Sequence, residues 1–170
     1  MSTETDLSAL RHIVFVQYGD YAEAVHRFAA GGKEDYYAQK YTVDHVARLA
    51  DRHGAATVIT FSRNHPFELL LNGVGAQGVL LYPPDGKARD SELLRVLDER
   101  KPTDLVLVAP IQSVLRWAVR NHVRTLPLFF DSFPVMGPKA RVKAWLLARA
   151  LNALHFRWVA NHNIAASQDL

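Results

Sequence analysis

Residues 12–41 read HIVFVQYGDYAEAVHRFAAGGKEDYYAQKY, and the fold turns on this stretch. It opens on an apolar run, His12-Ile13-Val14-Phe15-Val16, rich in β-branched and aromatic side chains. A short run with no charge inside it suits a strand buried on both faces, as in a parallel sheet. A polar, aromatic-rich connection follows, then Gly31-Gly32, then a helical pattern from about Lys33-Glu34. Strand, loop, glycine pair and helix, in that order, are how an open α/β sheet offers backbone N–H groups at a helix N-terminus. Paired glycines let the backbone approach a phosphate or sugar closely, because no Cβ intervenes. The same pair also reads as a plain turn. The spacing is wrong for known phosphate loops; no GxxxxGK(S/T) and no GxGxxG is read, so neither the P-loop nor the dinucleotide fingerprint is expected.

Outward from this stretch, 170 residues make one domain with enough chain for a proper core. A hydrophobic content of 49% with 22% charged residues is that of an ordinary globular chain. Cysteine is absent, which excludes disulfides and thiolate chemistry. The lead, residues 1–11 (MSTETDLSALR), is polar and acidic, unlike a secretory signal. No apolar run approaches the roughly 18 residues needed to span a bilayer, so a cytoplasmic location is expected. Charge is uneven. Residues 1–110 hold 12 Lys/Arg against 15 Asp/Glu, whereas residues 111–170 hold 8 against 2. A basic second half implies an anionic partner: a membrane surface, a phosphorylated ligand or nucleic acid.

Further along, residues 34–53 read as a helix capped by Gly54, and Ala56–Phe61 as a second strand. Glu68–Asn72 reads as a short helical piece and Gln77–Tyr82 as a third strand. Residues 89–100 make a charged amphipathic helix, 104–108 a fourth strand, and 111–122 the cleanest helical stripe in the chain. Thr125–Phe130 is the fifth strand, Pro138–Phe156 a long basic helix, and Arg157–Ala160 a sixth strand before a final helix from Ile164. Strands alternating with helices, each strand nearly all apolar, predict an α/β fold. It is expected to be a doubly wound, Rossmann-like, mostly parallel sheet of about six strands with helices on both faces. Ligands in such sheets bind beyond the carboxyl ends of the strands.

The order of elements and three local motifs resemble the N-terminal domain of a GT-B fold glycosyltransferase of the retaining, family 4-like group. The motifs are Gly31-Gly32-Lys33-Glu34, Leu126-Pro127-Leu128-Phe129-Phe130-Asp131, and Trp158-Val159-Ala160-Asn161-His162-Asn163. The resemblance covers most of residues 12–170. It implies an acceptor-side domain facing a C-terminal, donor-binding domain that lies outside this chain, so these residues alone are not expected to turn over. It further implies a nucleotide-sugar donor, a glycan or lipid-linked acceptor, retention of configuration, and no cofactor or bound metal. In the resemblance, Gly31 and Gly32 lie against the donor diphosphate. Where many members carry a histidine after the fifth strand, this chain has Asp131, followed by Ser132 and Phe133.

Asp131 is accordingly the candidate catalytic residue, although Asp-Ser before Phe-Pro is also ordinary turn material. Tyr18, Asp20 and Tyr21, after the first strand, suit an acceptor sugar, whose apolar face stacks on rings and whose hydroxyls donate to carboxylates. Ser132, His65 and His162 are further acceptor candidates at strand ends. The eight histidines show no metal-ligand spacing, so no metal is expected. Lys139, Arg141, Lys143 and Trp145 form a basic, tryptophan-bearing helix that either lies on an anionic membrane or packs on the sheet with its charges solvated. No nucleic-acid motif is present, and nucleic acid is not an expected partner. A stand-alone, non-catalytic module for a nucleotide or phosphorylated ligand is the alternative reading.

Overall fold

The first strand, β1 (Arg11–Gln17), is buried from Ile13 to Gln17 and sits inside the sheet. The structure, a computed structural model, describes residues 11–35, 39–61, 66–80, 90–108, 111–129, 137–154 and 160–161. After β1 come α1 (Tyr21–Ala29), α2 (Gln39–His53), β2 (Gly54–Phe61), β3 (Phe67–Leu71) and β4 (Val74–Val79). Then follow α3 (Asp90–Arg100), β5 (Asp104–Leu107), α4 (Gln112–Arg120), β6 (Arg124–Phe129), α5 (Pro138–Asn152) and the two-residue β7 (Ala160–Asn161).

The strands form one sheet in the order β3-β4-β2-β1-β5-β6-β7. Every neighbouring pair is parallel except β3–β4. The chain is thus α/β with a mostly parallel sheet, compatible with a Rossmann-like arrangement. Growth of the parallel sheet reverses direction at β1, whose neighbours are β2 on one side and β5 on the other.

Side chains alternate across β1, and each set finds its own helix layer. Ile13 and Phe15 join Tyr21, Ala24 and Val25 of α1 and Val43, Val46 and Ala50 of α2. Val14 and Val16 instead join Leu93, Val96 and Leu97 of α3 with Val114, Leu115 and Ala118 of α4. Helices therefore cover both faces, and each fully buried Leu or Val contributes roughly 1.5–3 kcal/mol of burial. The alternation of period two along the strand, against 3.6 along each helix, dictates this sandwich.

Two sequence expectations are corrected. Residues 17–33 are not a continuous connection, because α1 occupies most of it. Asp20 is its N-cap, accepting from the Glu23 N–H at 3.0 Å, and Tyr21, Ala24, Val25 and Phe28 supply an apolar stripe. Glu68–Asn72 is not helical either. Phe67–Leu71 is an antiparallel edge strand, joined to β4 by the two-residue turn Asn72-Gly73. Both turn residues have positive φ, 51° and 77°, as a type I′ hairpin requires. Elsewhere boundaries move by a few residues: Glu34 and Asp35 of the expected helix 34–53 are not helical, residues 36–38 lie outside the described residues, α2 spans Gln39–His53, and α5 ends at Asn152. The expected helix from Ile164 lies outside the described residues.

Candidate functional site

The carboxyl ends of β1 and β5, where the sheet reverses its growth, are where an open α/β sheet offers a crevice to ligands. Three candidate residues follow β1 there, and the structure separates their roles. Tyr18 is 54% exposed, and its ring lies 5.3 Å from that of Phe61, at the end of β2, with the planes tilted by 55°. This pair makes an aromatic shelf on the rim. Asp20 is committed to capping α1. Tyr21 is only 1% exposed and belongs to the core, so its ring is not presented to a ligand.

Beneath that rim lies a group of buried polar side chains that sequence reasoning missed. Gln17 and Thr60 are partners across the β1–β2 pair, and Gln39 opens α2; all are buried. Gln17, Asp20, Tyr21, Gln39, Thr42 and Val43 line a cavity of only about 10 Å³. That space fits roughly one water molecule and no sugar ring. The Tyr21 hydroxyl and Thr60 Oγ1 are buried without a hydrogen-bond partner among the described residues. Burial pushes the Tyr21 phenol up to about 12, with the nearby Asp44 carboxylate adding to the shift. The sequence signal was faint: a glutamine closing an otherwise apolar strand.

The glycine pair closes a helix instead of opening one, which corrects the reading of residues 31–34. The Gly31 N–H donates to Phe28 O at 3.0 Å and the Gly32 N–H to Arg27 O at 2.9 Å. With Gly31 at φ 76°, this is the paired closure of a helix C-terminus by a left-handed glycine. Both N–H groups are therefore spent within α1. Next to them, Glu34 accepts the Lys40 N–H at 2.7 Å, placing a carboxylate at the N-terminus of α2. Gln39 Oε1 receives the Asp35 N–H at 3.1 Å and Arg27 Nη2 at 3.3 Å, while Arg27 also pairs with Asp35. A helix N-terminus attracts anions. Here the chain supplies its own.

The expectation that the chain lacks GxGxxG is corrected, because Gly73-Val74-Gly75-Ala76-Gln77-Gly78 has that spacing. The structure removes it as a dinucleotide site, because it lies in a hairpin turn and strand β4 instead of a strand-to-helix turn. Its glycines have other uses: a Cβ at Gly78 would strike the Phe67 ring across the ladder.

Among the histidines, His12 is a structural clamp. Its Nδ1 lies 2.8 Å from Arg100 O and its Nε2 2.9 Å from Thr57 Oγ1. No cluster of three or more His, Cys, Asp or Glu able to hold a metal occurs among the described residues. A larger cavity, about 390 Å³, is lined by Asp98, Lys101, Trp117 and Asn121. It opens where β5 and β6 begin, the end opposite the expected crevice, and Asp98 is held there by the Trp117 indole N–H at 2.6 Å.

The candidates Asp131, Ser132, His65 and His162 lie outside the described residues. The basic helix candidates Lys139, Arg141, Lys143 and Trp145 all lie on α5, where Lys139, Arg141, Lys143 and Trp145 are exposed. No helix among the described residues is long and apolar enough to cross a membrane. No family model, curated protein or solved structure matches the chain.

Proposed function

We propose that this chain is a doubly wound, acceptor-side domain of a GT-B fold, retaining glycosyltransferase that acts on a glycan or lipid-linked sugar. The observation that carries the reading is the reversal of sheet growth at β1, with the exposed Tyr18 ring set at that carboxyl end. An exposed aromatic face stacks on the apolar face of a sugar, and Tyr18 is paired there with the Phe61 ring. The order of the parallel strands and the two sequence motifs around Pro127 and Asn161 support the same assignment. Asp131 stands as the candidate group for the reacting end of the acceptor. The nucleotide-sugar donor would be held by a facing domain.

The glycine pair is no part of the proposal as a phosphate cradle, since its N–H groups are already donated. For the same reason a neutral sugar is favoured over a phosphorylated ligand at this rim: the anion place on α2 is filled by Glu34.

Saturation-transfer NMR on the chain, with neutral oligosaccharides in one set and nucleotide-sugars in the other, tests this. Acceptor-type sugars should show transfer that Tyr18→Ala removes while the fold, followed by circular dichroism, persists. Strong binding of a nucleotide, with no response to any oligosaccharide, would instead support the stand-alone nucleotide-binding module.

A further inference from the structure

α5 is attached to the body by one side only. Leu147, Ala150 and Leu151 pack against the core on the α3–α4 face, yet no residue of the helix is fully buried. Val142, Trp145 and Arg149 recur at i, i+3 and i+7, which aligns them on one stripe, about half a turn away from Leu147 and Leu151. Val142 is 58% exposed and Trp145 59%. The Arg149 guanidinium lies 5.7 Å from the Trp145 ring centroid. Lys139 and Arg141 flank the stripe, Lys143 stands toward the Leu147 side, and the helix PKARVKAWLLARALN contains no acidic residue. A tryptophan and a valine at the outer centre of a helix contribute nothing to the core. They suit something outside it.

We propose that the outer face of α5 docks on an anionic lipid surface. Tryptophan among Lys and Arg is the composition of a helix lying in the membrane interface, with the ring at headgroup depth and the cations on the lipid phosphates. The charge of the face selects its occupant. A second copy would set three cations, Lys139, Arg141 and Arg149, against three, and lysine is depleted from the centres of protein–protein interfaces. The stripe is also a convex ridge, which a bilayer accepts without a complementary groove. This docking does not depend on sugar transfer, so either proposal can fail alone.

Co-sedimentation of the full chain with vesicles tests it, using phosphatidylcholine alone and phosphatidylcholine with one-fifth phosphatidylserine. Binding should require phosphatidylserine and weaken with salt. Each α5 cation removed should lower partitioning about fivefold. The pair Lys139→Glu and Arg141→Glu should therefore abolish sedimentation, and Trp145→Ser should reduce it several-fold. The matched pair Arg48→Glu and Arg52→Glu, on α2 beneath the other face of the sheet, should leave it unchanged. Far-ultraviolet circular dichroism confirms that each variant is folded. No sedimentation with anionic vesicles would overturn the proposal, as would equal losses in the α2 pair, which would reduce it to net charge. A concentration-dependent dimer abolished by Trp145→Ser would give the face to a second copy and overturn it too.

Discussion

The Gly32 N–H donates to the carbonyl oxygen of Arg27 across the end of α1, at 2.9 Å, and this bond decides what the glycine pair does. Gly31 holds the left-handed turn that makes the bond possible, with φ at 76°. Gly31→Ala should lower the unfolding free energy by about 1 kcal/mol, the cost of a Cβ in that conformation, because nothing lies within 4 Å of it. Gly32→Ala should cost more, since its Cβ would stand 2.9 Å from the Arg27 carbonyl oxygen and strike the Arg27 side chain as well. Urea titration of both variants gives the comparison. Equal stability in all three proteins would show that α1 does not end through this pair.

The edge hairpin rests on Asn72 and Gly73, whose positive φ angles match the twist of β3 and β4. Gly73→Ala should destabilise by about 1–2 kcal/mol. Asn72→Gly should be close to neutral, since glycine reaches the same conformation with less strain but more unfolded-state freedom. Thermal melts separate the two substitutions. A larger loss in Asn72→Gly than in Gly73→Ala would argue against a type I′ turn.

The sheet core was legible because its strands are short apolar runs at a regular interval from amphipathic helices; Val14, Ile59 and Leu107 leave few alternatives. What was missed has local chemistry behind it. Asp20-x-x-Glu23 ahead of an alanine-rich stripe is a helix start, but the aromatic residues around it suggest a binding loop equally well. Leu69, Leu70 and Leu71 in succession carry no period, so only the Asn-Gly pair marks them as half of a hairpin. The buried Gln17 and Thr60 become neighbours solely through the β1–β2 register, a long-range relationship that no local pattern encodes. On α5 the sequence offered two faces for Trp145, and packing of Leu147 and Leu151 on the core turned it outward.

His12 ties three elements together. A carbonyl only accepts, so Nδ1–H donates to Arg100 O at 2.8 Å, and in the neutral ring Nε2 then accepts from the Thr57 hydroxyl at 2.9 Å. Its own backbone N–H donates to Thr103 Oγ1 at 3.0 Å. His12→Ala should destabilise by about 1–3 kcal/mol, chiefly by orphaning partly buried partners. His12→Asn, which retains a donor near the Nδ1 position, should recover part of that loss. Chemical denaturation of the two variants is the check, and indistinguishable midpoints would mean the ring bonds are solvent-replaceable.

Tyr21 makes stability depend on alkaline pH. Its phenol is raised from 10.0 to about 12 by burial, then by Asp44. The folded state therefore keeps the proton where the unfolded chain has begun to lose it. The contribution is complete below pH 10 and is lost as pH rises toward 12, on the order of 2–3 kcal/mol in all. Tyr21→Phe should abolish this part of the slope. At neutral pH it should be neutral or stabilising by up to about 1 kcal/mol, because the hydroxyl it removes is buried with no partner among the described residues. Urea midpoints at pH 8 and pH 11 for both proteins measure the difference directly. A variant that falls as steeply as the parent would move the alkaline loss to other groups and place the Tyr21 hydroxyl within reach of solvent.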